Sequence, residues 1–289
     1  MALRARPRLA CGAALGLLAC TPWYGPDDPD ANYEGSRCLV EAERLHCAHH
    51  QDTVWTGAGN LTPRTLLWQV PLGTPPVGGW PTVFLFQGTA HPAATFWDAE
   101  AGDDFGGFEQ GLLTAALLDA GYAVLTPNAR LSGTGAWETN IPPMATNWDS
   151  AGDHRFMLDL FDGIGQGRFG PLDPTRWYAA GISSGGYMSA RMDLAYRDRF
   201  SALAIQSASW ATCAGPVCSV PSPLDAEHLP TLFLHGDADI VVPIASMWPY
   251  HEGLVAAGVE TEALVDEGGG HGWSSEAPEA IVAWFDAHP

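Results

Sequence analysis

The stretch Trp177-Tyr178-Ala179-Ala180-Gly181-Ile182-Ser183-Ser184-Gly185-Gly186-Tyr187-Met188 decides the fold. An apolar run suited to a buried strand enters Gly-x-Ser-x-Gly, and helix-compatible residues follow at once. The reading is strand, sharp turn, helix. Such an elbow needs small residues, because side chains there would collide in a turn tight enough to lift the serine above the sheet. Glycines stand two residues either side of Ser183, at Gly181 and Gly185; centred on Ser184 the upstream position would be Ile182, and the frame fails. Ser183 is therefore the expected nucleophile. The helix that follows directs its N-terminus at the reacting atom, which favours developing negative charge.

Outward from the elbow, strands and helices alternate. Upstream, 65–70 and 80–87 read as strands, 109–120 as a helix, 122–126 as a strand and 154–164 as a helix. The elbow strand spans 177–182 and its helix 185–196; then come strands 202–206 and 231–234, helix 244–257, strand 262–265 and helix 278–287. This alternation specifies right-handed crossovers and a mainly parallel sheet with helices on both faces, a three-layer α/β domain. No linker divides the chain after residue 40, so 38–289 reads as one catalytic domain. The interval between the strands at 206 and 231 is too short for a large lid domain.

Composition narrows the function. The 289-residue chain carries 13 arginines, no lysine and 33 acids, a net charge of −20. Nucleic acid is a poor partner for such a surface, and apolar residues throughout exclude disorder. Arg4, Arg6 and Arg8 precede a short apolar run, 9–19, well below the roughly 20 residues of a membrane span. Residues 1–20 therefore read as an export signal. Leu17-Leu18-Ala19-Cys20 is similar to a bacterial lipoprotein box, which makes a lipid on Cys20 one expectation and plain secretion the other. Residues 21–37, rich in Pro, Asp, Asn and Gly, read as a flexible, solvated tether. Cys38, Cys47, Cys213 and Cys218 form an even set in an exported chain. Two disulfides are expected, Cys38–Cys47 and Cys213–Cys218, each closing a short loop. The spacing does not suit zinc, and no metal or cofactor is called for.

A serine hydroxyl needs a base. Gly268-Gly269-Gly270-His271-Gly272-Trp273 follows the last strand, and its glycines shape a loop that presents His271. The base in turn needs an acid to hold its tautomer. Leu234-His235-Gly236-Asp237-Ala238-Asp239-Ile240-Val241-Val242-Pro243 offers Asp237 and Asp239 between Ser183 and His271. The oxyanion hole needs two N–H donors: the amide of Ser184, and one from the loop after the strand ending at residue 86.

These motifs together resemble the polyhydroxyalkanoate depolymerase and feruloyl esterase branch of the α/β-hydrolases. The Ile182-Ser183-Ser184-Gly185 box is most similar to extracellular depolymerases of medium-chain-length polyhydroxyalkanoates, as are the intervals of 56 and 32 residues from Ser183 to Asp239 to His271. The resemblance implies an acyl-enzyme on Ser183. It selects Asp239 through His-Gly-x-x-Asp-x-x-Val-Pro and leaves Asp237 as a loop residue. It places the second oxyanion donor at Thr89, although this chain has Gln87-Gly88 where relatives usually have His-Gly. A hydrophobic polyester is then the expected partner. Trp97, Trp210, Trp248 and Trp273, from loops at the carboxyl edge of the sheet, are expected either to line an acyl groove or to pack loops onto the core.

Three other functions compete. A carbohydrate esterase, removing feruloyl or acetyl groups, would use polar loop residues such as Asn140, Asn147 and Asp149. A serine peptidase would need a group to hold the substrate N-terminus, and no motif supplies one. An adhesion protein on an inactive scaffold would not need Ser183, Asp239 and His271 together.

Overall fold

The computed structural model describes residues 28–56, 63–131, 133–214 and 216–289. Among these described residues, eleven strands and five α-helices follow in chain order. They are β1 (Cys38–Glu41), β2 (Arg44–Cys47), β3 (His50–Trp55), β4 (Pro63–Gln69), β5 (Trp80–Phe86), β6 (Asp98–Glu100), α1 (Gly107–Asp119), β7 (Ala123–Pro127) and α2 (Gly152–Gly165). Then come β8 (Leu172–Ile182), α3 (Ser184–Tyr196), β9 (Phe200–Gln206), β10 (Thr231–Gly236), α4 (Trp248–Ala257), β11 (Thr261–Asp266) and α5 (Ala277–Ala287).

Eight strands form one sheet in the order β11-β10-β9-β8-β5-β7-β4-β3. The six from β11 to β7 run parallel, while β4 and β3 join antiparallel at one edge. This is the mainly parallel α/β sheet expected from the alternation, in the α/β-hydrolase arrangement that the motif resemblance implies. The central strand β5 shows why its sequence is apolar without a break. Val83 and Leu85 pack with Leu113 and Leu117 of α1 and Ile281 and Phe285 of α5. Phe84 and Phe86 pack on the opposite face with Phe156, Leu160 and Phe161 of α2 and Met188 and Met192 of α3. Side chains alternate along a strand, so a strand covered on both faces must be apolar at every position. Each such aromatic or aliphatic side chain contributes about 1.5–3 kcal/mol by leaving water.

Differences from the sequence reading are local. The elbow strand begins at Leu172, because Trp80 of β5 pairs with Leu172 before a register shift. The helix expected over 244–257 is split: a 3-10 turn covers Ile244–Ser246, and Pro249 opens α4 near its N-terminus, where a missing N–H costs nothing. The strands before residue 63 and the three-residue β6 carry little apolar signal. β1, β2 and β6 form a small separate sheet, stapled where Cys38 and Cys47 face one another in register. The second disulfide joins Cys213 to Cys218.

Part of the expected tether is docked rather than solvated. The Arg37 guanidinium donates to the carbonyls of Pro29, Ala31 and Val70, and the buried Gln69 amide also donates to Pro29. The signal segment, the Cys20 box and residues 21–27 lie outside the described residues. No helix among the described residues is long and apolar enough to cross a membrane.

Candidate active site

Ser183 sits between the end of β8 and the start of α3 with φ 54° and ψ −120°, a backbone conformation that L-residues rarely adopt. The surrounding glycines explain how it is tolerated. A Cβ on Gly181 would lie 2.4 Å from the Gly185 carbonyl oxygen, and one on Gly185 would lie 1.9 Å from that of Phe86. Both approaches are impossible for any other residue, so the motif read from sequence is a steric requirement of this turn. The strained hydroxyl-bearing residue stands at the carboxyl edge of the sheet, and the amide of Ser184 opens α3 beside it.

His271 lies in the loop between β11 and α5. Its Nδ1–H donates to Asp239 Oδ2 at 2.7 Å. Asp239, fully buried at its side chain, is fixed by its other oxygen: Oδ1 accepts the amides of Val241 and Val242, both at 2.8 Å. One carboxylate oxygen thus anchors the loop and the other orients the imidazole through Nδ1. Asp237 does something else, accepting the Gly268 amide at 2.7 Å and tying the two loops together. His235 is a buried strand-end residue whose Nε2–H donates to the Val242 carbonyl. Burial holds its pKa below the ordinary imidazole value, against the opposing pulls of the Val242 carbonyl and Asp239.

Ser183 and His271 open on one small cleft, together with Gly88, Thr89, His91, Asp104, Phe105, Gly107, Gln110 and Ile182. Thr89 thus lines the same cleft as Ser183. Gln87, which replaces the more usual histidine, is buried beneath this loop. Its side-chain amide donates to the Gly133 carbonyl and accepts the Ala129 amide, joining the Thr89 loop to the loop after β7. That second loop reaches the elbow as well, because the Trp137 amide donates to Ser184 Oγ at 2.8 Å. Beneath it lies a buried charge cluster. Arg64 pairs with Asp153, whose carboxyl is pushed up by burial against the opposing pull of Arg64, and Asp153 accepts the Glu138 amide.

The tryptophans do not line the cleft. Trp97 is 0% exposed and its indole N–H donates to Thr126 Oγ1 at 2.7 Å in the core. Trp273 is buried and donates to Gln110 Oε1, while Trp210 packs edge-on against Tyr250. Trp248, half-buried on α4, stands edge-on to His251. A buried indole must satisfy its N–H, and the partners of Trp97 and Trp273 fix them as packing residues. The sequence reading missed His91, Asp104 and Phe105. The only trace was the aromatic-Gly-Gly run at 105–107, too common to single out.

The chain is 43% identical over 256 residues to a poly(3-hydroxyoctanoate) depolymerase of Pseudomonas fluorescens, covering 89% of this chain and 90% of that protein. The chain belongs to the poly(3-hydroxyoctanoate) depolymerase family. No family model matches it. Solved structures agree on the fold of this depolymerase-family chain. A truncated carbohydrate esterase from gut microbiota superposes with a TM-score of 0.60 at 16% identity, over 84% of this chain and 96% of that one. An S-formylglutathione hydrolase of Staphylococcus aureus gives 0.58 at 15% identity, over 82% and 98%. A longer protein described as a dipeptidyl aminopeptidase IV, from Bacteroides ovatus, gives 0.61 at 13% identity; this chain spans only 37% of it, and 89% of this chain is covered.

Proposed function

We propose that the chain is an exported serine esterase that hydrolyses medium-chain-length poly(3-hydroxyalkanoate) through an acyl-enzyme on Ser183. The observation that carries the chemistry is the cleft itself, in which a strained serine and an Asp239-held imidazole share one opening. The substrate class comes from the relative, whose name specifies poly(3-hydroxyoctanoate). Ser183 Oγ attacks the ester carbonyl carbon while His271 Nε2 takes its proton. The Ser184 and Thr89 amides receive the negative oxygen. The tetrahedral adduct expels the alcohol end of the chain, which takes the proton from His271. A water, deprotonated by the same nitrogen, then cleaves the Ser183 ester and frees the carboxylic acid.

Adsorption to a solid polymer rests on the same edge of the domain. The loops around the cleft are tied to one another: Ala90 to Thr134, Thr139 to Ala211, Asn140 to Cys213 and Ser209 to Ser246. They project Leu131, Ile141, Val217 and Ile240 into solvent, four exposed apolar side chains that suit an alkyl-rich surface. The two disulfides fit an oxidising destination. The polar residues a sugar cleft would use lie elsewhere: Asn140, Asn147 and Asp149 do not line the opening, and the Asn140 amide is spent on the Cys213 carbonyl.

The test is hydrolysis of polyhydroxyoctanoate, polyhydroxybutyrate and acetylated or feruloylated xylan by the purified enzyme. Clearing of polyhydroxyoctanoate in preference to the other substrates is expected. Release only from xylan would move the function to carbohydrate esterase.

A further inference from the structure

Phe105 is a residue the chemistry above does not use, and its placement is costly. Its backbone is left-handed, with φ 59° and ψ 30°, and Gly106 follows in the same region at φ 68° and ψ 40°. An aromatic side chain in that conformation is an outlier. The chain holds it there from the His271 loop: the Trp273 amide donates to the Phe105 carbonyl at 3.0 Å. The two segments are pressed together, since a Cβ on Gly106 would lie 2.4 Å from the Trp273 carbonyl oxygen. Trp273 is in turn anchored on α1 through Gln110. Yet the ring held so firmly is not buried; Phe105 is 46% exposed. It stands edge-on to His271 at 5.9 Å and to His91 at 4.9 Å, on the wall of the cleft that contains Ser183. Strain that places an apolar ring in solvent, against the general base, is not recovered by packing within the chain.

We propose that Phe105 is the specificity-determining wall of the acyl site, the surface on which the alkyl side chain of the scissile hydroxyacyl unit packs. The inference rests on the esterase reading of Ser183 and His271. The neighbouring positions fit this role. Gly88 and Gly107 line the same cleft, and Ile182 continues the apolar lining towards Ser183. A short acyl group leaves the ring wet, whereas a medium-length chain covers it. The wall thus rewards acyl length over a limited range.

The experiment measures kcat/KM for p-nitrophenyl acetate and p-nitrophenyl octanoate in wild type, Phe105→Gly and Phe105→Leu, with melting temperatures for each. Phe105→Gly should lower the octanoate-to-acetate ratio by roughly 10- to 100-fold, the scale of losing an apolar contact with several methylenes. Activity on acetate should fall by less than activity on octanoate, because acetate has no chain to lay on the ring. Phe105→Leu should restore part of the ratio. Glycine relieves the left-handed strain, so the melting temperature should hold or rise even as selectivity is lost. An unchanged ratio in Phe105→Gly would overturn the proposal. So would equal loss on both esters with no recovery in Phe105→Leu, which would make Phe105 a structural support of the His271 loop. Loss of both activities in wild type would instead overturn the esterase reading, and it is read separately from the ratio.

Discussion

Replacing Asp239 by Asn tests the geometry of the site through its hydrogen-bond inventory. Asp239 accepts two backbone amides on Oδ1 and the imidazole N–H on Oδ2. Asn has only one accepting oxygen. Turning its NH₂ towards Val241 and Val242 would orphan two backbone donors, at about 1–3 kcal/mol each. The oxygen therefore stays on the backbone side and the NH₂ faces His271 Nδ1. Nδ1 must then be the lone-pair nitrogen, and the ring proton moves to Nε2, the nitrogen that should accept from Ser183. The base is lost while the fold is kept. Turnover should fall about 10⁴-fold, as expected for a triad locked in the wrong tautomer. That is roughly 5.5 kcal/mol of transition-state stabilisation. Folding should lose only about 1 kcal/mol, the difference between charged and neutral acceptors. The assay is steady-state hydrolysis of p-nitrophenyl octanoate beside a thermal melt, with Asp237→Asn as the control that keeps turnover. An Asp239→Asn enzyme retaining more than about a tenth of wild-type kcat would refute the reasoning.

Further predictions concern the scaffold. Gly185→Ala should yield no folded protein, because its Cβ would lie 1.9 Å from the Phe86 carbonyl oxygen; soluble, active expression would contradict this. Trp97→Ala should destabilise by about 3–5 kcal/mol, the range for emptying a buried aromatic site, yet leave the octanoate-to-acetate ratio unchanged, since Trp97 does not reach the cleft. Burial holds His228 and His235 below the ordinary imidazole value, against the opposing pulls of Asp193 and Asp239. The unfolded chain therefore binds more protons just below about pH 6.5, and stability should fall as pH drops from there, by up to about 1.4 kcal/mol per unit for each residue. Urea melts between pH 7 and 5 check the slope, which His228→Gln should reduce; a flat profile would count against it.

What could be read from the sequence follows from how local each signal is. The elbow and the order of strands and helices from residue 80 onward are carried by short, strongly patterned segments. Val83-Phe84-Leu85-Phe86 can only be a strand covered on both faces, and Gly181 and Gly185 announce the turn they make possible. The pairing of Asp239 with His271, which the structure shows as a hydrogen bond, could be anticipated because each lies in a loop dense in glycine or proline beside a strand end. The four tryptophans were not, because an indole in a loop reads the same whether it faces substrate or, like Trp97, turns inward to a single hydroxyl on Thr126. Phe105 was invisible for the opposite reason. Its importance lies in a left-handed backbone and in contacts with His91 and His271, which are distant in sequence. The docking of residues 28–37 likewise depends on one cation, Arg37, and on Gln69 from a strand well beyond it.

The most direct test of the central claim is the rate at which 3-hydroxyoctanoate and its short oligomers are released from polyhydroxyoctanoate by wild type and by Ser183→Ala, measured side by side. Steady release by wild type and a loss of at least about a thousandfold in the variant is the predicted result. Release that persists in Ser183→Ala, or its absence in wild type, would contradict it.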